Sequence, residues 1–187
     1  MAGISNKEKV SLIAGAQQND RKAQNKLFGH YSALVMSISR RYASDLSSAE
    51  DLFQECFIQV FKSLVKPNQE IKDLDRWVYR IAINTNITHY YRNQKITFDE
   101  LKDYELYDED KSIIDRISGE ELIQIINKIP DGYRVIFNLY YVDGYSHAEI
   151  ASMLAISEST SRSQLSRAKQ YLKKELASQG IDRYGAN

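Results

Sequence analysis

Between Arg76 and Arg92 the chain reads RWVYRIAINTNITHYYR. Trp77, Tyr79, Tyr90 and Tyr91 supply flat π faces there, Asn84 and His89 supply polar edges, and Arg76, Arg80 and Arg92 supply cations. No Asp or Glu interrupts the stretch from Arg76 to Lys95. This is the mixture that holds separated nucleic-acid strands: bases stack on aromatic rings, polar groups read base edges, and a cationic track follows the backbone. Arg76, Arg80 and Asn84 are four residues apart and share one face of a helix. Trp77 and Ile81 fall on an adjacent face, where Trp77 is expected to be mainly core.

A second candidate runs EIASMLAISESTSRSQLSRAKQYLKK, from Glu149 to Lys174. Ile150, Ala151, Leu154, Ile156 and Leu165 have the spacing of a helix-turn-helix. Ser157 is placed to cap the second helix, with Thr160 at its third position. That helix offers Thr160, Ser161, Arg162, Ser163, Ser166, Arg167 and Lys169. Short hydroxyls and long cations suit phosphate oxygens and base edges in a major groove. Two positions depart from the usual motif: Ala155 stands where the turn favours glycine, and Ser161 where a buried aliphatic is usual. A helical hairpin with no ligand is the alternative.

The elements that must position these groups are helices. Apolar residues recur at three and four in Ile4 to Gln18, with Val10, Leu12, Ile13 and Ala16. Leu27, Tyr31, Leu34, Val35, Ile38 and Tyr42 mark a second helix, with Asn19 or Asp20 as its cap. Leu52, Phe53, Cys56, Phe57, Val60, Phe61 and Leu64 mark a third, ended near Pro67. The fourth runs from about Asp75 to Arg92, with Trp77, Val78, Ile81, Ile83 and Ile87 towards a core. Leu122, Ile125, Ile126 and Ile129 form a helix that stops at Pro130. Val135, Ile136, Leu139 and Tyr140 form another, ended by Asp143-Gly144. The fold class is all-α, two small helical domains at 5–96 and 119–178, joined by an acidic linker at 97–118.

That linker explains the charge balance. The chain has 25 basic and 25 acidic residues, a formal net charge of +0 and a pI near 6.8. Ten acids lie between Asp99 and Glu121, against Lys102, Lys111 and Arg116. They cancel the basic faces in the total but need not cancel them in space. The linker's first half is expected to be solvated and flexible.

The single cysteine, Cys56, excludes an internal disulfide, and no Cys/His cluster has metal-ligand spacing. No Walker motif, Gly-rich phosphate loop or Ser/His/Asp arrangement points to an enzyme. No cofactor, metal or small-molecule substrate is expected. His30, His89 and His147 are far apart in sequence and are expected to be structural or solvent-facing. The start of the chain has no signal-peptide pattern, and no stretch reaches the length of a membrane span, so a cytoplasmic setting is expected.

AEDLFQECFIQVFKSL (Ala49 to Leu64), followed by DRWVYRIAINTNITHYYRNQK (Asp75 to Lys95), resembles conserved region 2 of bacterial sigma factors. LIQIINKIPDGYRVIFNLYYVDGYSHAEIASML resembles their region 4. With only these two regions, the layout is similar to the extracytoplasmic-function (ECF) group of the sigma-70 family. The resemblance implies that Asp51, Leu52, Phe53, Gln54 and Glu55 hold core RNA polymerase through its β′ clamp helices, with Phe57 as further apolar support; against it, Phe57 and Phe61 are expected on burial grounds to be simply core. It implies minus-10 recognition and opening by Arg76, Trp77, Arg80, Asn84, Tyr91 and Arg92, with Asn84 at a pocket for a flipped-out base. It implies minus-35 recognition by Thr160, Arg162, Ser163, Ser166, Arg167 and Lys169. The implied partners are core polymerase (β′ clamp helices and β flap), promoter DNA and an anti-sigma factor. A stand-alone helix-turn-helix regulator and a sigma mimic that titrates a regulator remain the competing readings.

Overall fold

Ser5 opens the first helix, α1 (Asn6–Gln17), through a capping box in which its hydroxyl and the Glu8 carboxylate exchange hydrogen bonds with each other's backbone amides. The computed structural model describes residues 4–66, 70–93 and 119–178, without the side chains of 90–93 and 119–123. The acidic stretch at 97–118, and the side chains of Tyr90, Tyr91 and Arg92, therefore lie outside the described residues.

Three longer helices follow: α2 (Arg21–Tyr42), α3 (Leu46–Leu64) and α4 (Leu74–Asn93). Each begins at an aspartate that satisfies backbone amides left free at a helix start. Asp20 accepts from Lys22 at 3.0 Å, Asp45 from Ser48 at 2.7 Å and Asp73 from Arg76 at 3.0 Å. Asn19 adopts φ 60 in the turn before α2, a conformation that Asn tolerates, and leaves the capping to Asp20.

The three helices close on one core. Leu27, Tyr31, Val35 and Ile38 come from α2, Leu52, Cys56, Phe57, Val60 and Leu64 from α3, and Val78, Ala82, Ile83 and Ile87 from α4. α1 lies against α2, and Gly15 permits the approach: a Cβ there would meet the Cβ of Ala23 at 2.8 Å. α1 buries Leu12 and Ala16, whereas Val10, expected on its apolar stripe, is 67% exposed. Trp77 and Ile81 sit half-buried at the rim of α4 while Ala82, Thr85 and Asn86 are buried. The centre of α4 thus uses smaller side chains than the apolar pattern suggests.

The chain divides into two units between Asn93 and Gln94. The second holds α5 (Gly119–Lys128), α6 (Asp131–Phe137), α7 (His147–Leu154) and α8 (Glu158–Ser178). Its core is Ile125, Ile126, Ile129, Val135, Ile136, Phe137, Leu139, Ile150, Leu154, Leu165, Ala168 and Leu172. The sequence pattern suggests one regular helix from Val135 to Tyr140. Instead α6 widens into a π turn over Asn138–Val142, where the Asp143 amide reaches back to the Asn138 carbonyl at 2.9 Å. Gly144, at φ 78, then supplies the left-handed residue that lets the chain leave.

Candidate nucleic-acid and polymerase interface

On α4 the outward ridge is the one the spacing predicts. Arg76, Arg80 and Asn84 are all exposed, while Val78, Ala82 and Ile83 fill the core from the opposite side. The first turn of α4 is fixed from outside the helix. Asp75 receives a hydrogen bond from the Tyr31 hydroxyl on α2 at 2.6 Å and a salt bridge from Lys9 on α1. The Lys9 hydrogen bond, followed by that of Tyr31, holds the Asp75 carboxyl below the usual range. Burial, with the nearby Asp75 carboxylate, pushes the Tyr31 phenol up.

On α3 the five residues expected to hold polymerase separate by burial. Asp51 and Gln54 are exposed, Phe53 and Glu55 half-buried, and Leu52 only 4% exposed. Leu52 is a core residue and presents no surface to a partner, which corrects its place among the contact residues. Phe57 is buried, and Phe61 lies at the edge, half-buried. Phe53 meets Phe28 of α2 edge-on at 5.7 Å and Phe57 at 5.1 Å. Phe28, 41% exposed, also lies 4.5 Å from Phe57.

The sequence treats the α3 and α4 sites as separate. The fold joins them. A groove of about 660 Å³ is lined by Asp51, Glu55, Gln59 and Ser63 from α3 and by Ile81, Asn84, Thr85, Thr88 and His89 from α4. Gln59 donates to Glu55 at 2.6 Å along one wall. Gln59 and Thr88 were not singled out in the sequence. The signal for Gln59 is the four-residue spacing of Asp51, Glu55, Gln59 and Ser63, a polar ridge on α3, and that for Thr88 is its place four residues after Asn84 on α4.

Cys56, on α3, is fully buried. Asn86 donates to its sulfur at 3.4 Å and its thiol faces the Ala82 carbonyl at 3.7 Å. Burial pushes the thiol up to about 12, so it carries no thiolate chemistry in the fold. Among the described residues no group of His, Cys, Asp and Glu is arranged to hold a metal ion, and no helix is long and apolar enough to cross a membrane.

In the second unit α7 and α8 form the helix-turn-helix. Ser146 and Glu149 make a capping box at the start of α7. Ala155 ends that helix in the left-handed region at φ 51, and the Ile156 amide returns to the Ala151 carbonyl at 3.0 Å, a Schellman closure. Ser157 caps α8 by accepting from the Thr160 amide at 3.0 Å.

The six groups expected on the recognition helix spread around it. Arg162 is exposed and pairs with Glu158 at 3.2 Å. Thr160, Ser163, Ser166, Arg167 and Lys169 are half-buried. Two of the cations rest on aromatic rings of their own unit: Arg167 lies 6.0 Å from the Tyr133 ring and Lys169 5.5 Å from the Tyr141 ring. Lys169 in particular leans towards the π turn, so Arg162, the one exposed member of the six, defines the open side better than Lys169 does. Ser161 faces inward with Gln164, Leu165 and Ala168.

Fold and site define a two-unit helical protein with cationic and polar ridges suited to nucleic acid. Residues 27–96 match the family model described as Sigma-70 region 2, and residues 119–172 match Sigma-70 region 4. The chain belongs to the sigma-70 family, in its ECF group, and is a sigma factor that directs transcription initiation. RNA polymerase sigma-H factor of Pseudomonas aeruginosa is 25% identical, covering 92% of this chain and 96% of that protein. ECF RNA polymerase sigma-E factor of Haemophilus influenzae is 27% identical over 89% and 94%, and that of Escherichia coli 28% over 85% and 89%. A solved structure of CnrH in complex with the cytosolic domain of CnrY aligns with 19% identity and a TM-score of 0.47, covering 89% of this chain and 96% of that one.

Proposed function

We propose that this chain is a promoter-specificity subunit that engages core RNA polymerase through α3 and reads two promoter elements, one with each unit. Asp51, Gln54 and Glu55 are the polar anchors for the β′ clamp helices, with Phe53 beside them. Arg76, Arg80, Asn84 and the rim residue Trp77 hold the opened minus-10 element, with Tyr91 and Arg92 further along the same helix. Arg162, Ser163, Ser166 and Arg167, flanked by Thr160 and Lys169, face the minus-35 element, and the second unit also meets the β flap.

The observation that carries this reading is the Arg76–Arg80–Asn84 ridge: two cations and an amide in line, exposed, on a helix whose other side is locked into a core. A rigid ridge of that kind holds an extruded base and the strand beside it without reorganising. Stacking and phosphate contacts then offset the cost of unstacking, so this chain needs no nucleotide hydrolysis to open DNA. Its neutral net charge fits a protein that draws much of its DNA affinity from the polymerase it rides on. Its setting is the cytoplasm, and an anti-sigma factor that covers the α3 surface keeps it inactive.

In vitro transcription tests the proposal. Core polymerase supplemented with this protein should start from promoters carrying its two elements, and Asn84→Ala should impair opening more than Arg162→Ala does. Arg162→Ala should weaken minus-35 engagement by about 1–3 kcal/mol, the worth of one bidentate base contact. No initiation from any template overturns the reading. Tight, sequence-specific promoter binding without polymerase favours a stand-alone regulator instead.

A further inference from the structure

Ser161 is an inward-facing position of the recognition helix where the motif calls for an aliphatic and this chain carries a hydroxyl. It is 0% exposed. A bare hydroxyl there would leave a void and a buried oxygen without a partner, and both destabilise. The partner for that oxygen comes from α7. His147, the first residue of that helix, brings its ring Nδ1 to 2.8 Å from the Ser161 oxygen. The imidazole lies on Tyr140, with centroids 4.6 Å apart and planes 23° from parallel. Tyr140 belongs to the π turn, whose wider register changes the direction of every side chain after Phe137. The π turn, the Tyr140–His147 stack and the buried hydroxyl thus form one continuous chain of contacts. It ends beside Arg162.

We propose that His147 is a positioning residue for the recognition helix: its hydrogen bond to Ser161, steadied by the stack on Tyr140, fixes the rotation of α8 about its own axis. Apolar neighbours cannot do this alone. Ile150, Leu154, Leu165 and Ala168 give a contact that tolerates small rotations, because dispersion is non-directional. A hydrogen bond has a preferred angle as well as a distance. A rotation of roughly 20° moves a side-chain tip at the helix surface by about 2 Å, enough to break a bidentate contact to a base. The inference rests on the minus-35 reading of α8.

The test compares holoenzyme transcription from a promoter with a matched minus-35 element and from the same promoter with that element scrambled. The ratio of the two is the readout. A merely structural residue would lower the ratio only by unfolding the second unit, so each variant is assayed at a temperature where its own melting curve shows that unit folded, and a fall in the ratio there reports position. His147→Leu keeps an apolar filler but no hydrogen bond, and the ratio should fall about tenfold; Ser161→Ala should act in the same direction. His147→Asn places an amide where Nδ1 stood and should stay within about threefold of wild type. His147→Gln places its amide where Nε2 stood and should behave like His147→Leu. A wild-type ratio well above one that persists in His147→Leu overturns this inference alone. A wild-type ratio of one overturns the minus-35 reading and this inference with it.

Discussion

The Tyr31 hydroxyl on α2 donates to the Asp75 carboxylate on α4 at 2.6 Å, and Lys9 of α1 closes on the same carboxylate. Three helices are therefore tied at one point, directly beside Arg76, where the candidate minus-10 ridge begins. Tyr31 is 3% exposed, so its hydroxyl has little recourse to water if the partner is lost. Tyr31→Phe should cost about 1 kcal/mol of stability in denaturant unfolding. It should also loosen the first turn of α4, visible as faster amide exchange there.

The same carboxylate carries a pH signature. Its pKa is lowered in the fold from an ordinary 3.8, chiefly by Lys9 and then by Tyr31. A lowered folded value means that the contribution is fully present above the unfolded pKa and is lost as pH falls through the folded one. The stability gap between wild type and Asp75→Asn should therefore be constant near neutrality and shrink below about pH 4. A gap that widens on acidification would contradict this assignment.

Ala155 occupies the left-handed region at φ 51, which an L side chain adopts with strain of roughly 1–2 kcal/mol. Glycine removes that strain but enlarges the unfolded ensemble by about 0.4–1 kcal/mol. Ala155→Gly should leave a net gain of about 0.5 kcal/mol, read as a higher denaturant midpoint with unchanged slope. Because the turn geometry already exists, minus-35 selectivity should not change.

Cys56 is a probe of the first unit. Buried, and pushed up to about 12, its thiol should resist a disulfide labelling reagent at neutral pH for as long as α3 and α4 stay together. Labelling should follow unfolding of that unit and rise steeply through its denaturant transition. Rapid labelling of the native protein would show that the α3–α4 contact opens.

Leu52 and Asp51 are neighbours with opposite expected effects. Leu52→Ala should cost about 2–4 kcal/mol, because it empties a core site that is only 4% exposed. Asp51→Ala, on the exposed face, should change stability by less than about 0.5 kcal/mol and weaken association with core polymerase. Melting temperature and polymerase pull-down of the two variants separate these roles.

Apolar spacing of three and four fixed the helical class, the approximate helix bounds and the outward ridge of Arg76, Arg80 and Asn84, because a 3.6-residue period assigns faces with no tertiary information. Capping chemistry is equally local, so Ser157 was legible at its helix start and the α2 cap was narrowed to Asn19 or Asp20, of which the fold uses Asp20. Which apolar residues are enclosed depends on what approaches them, and here local pattern fell short. Val10 points to solvent, and Trp77 stops at a rim. Only packing set α3 beside α4 and merged Asp51, Glu55 and Asn84 into one groove. Ser161 shows the limit most sharply. Alone it reads as a defect in a helix-turn-helix. Its partner, His147, lies 14 residues away on another helix, turned towards it beside a π turn that the apolar pattern did not announce. A buried hydroxyl is tolerated only where a specific polar atom meets it, and that meeting is a property of the folded chain.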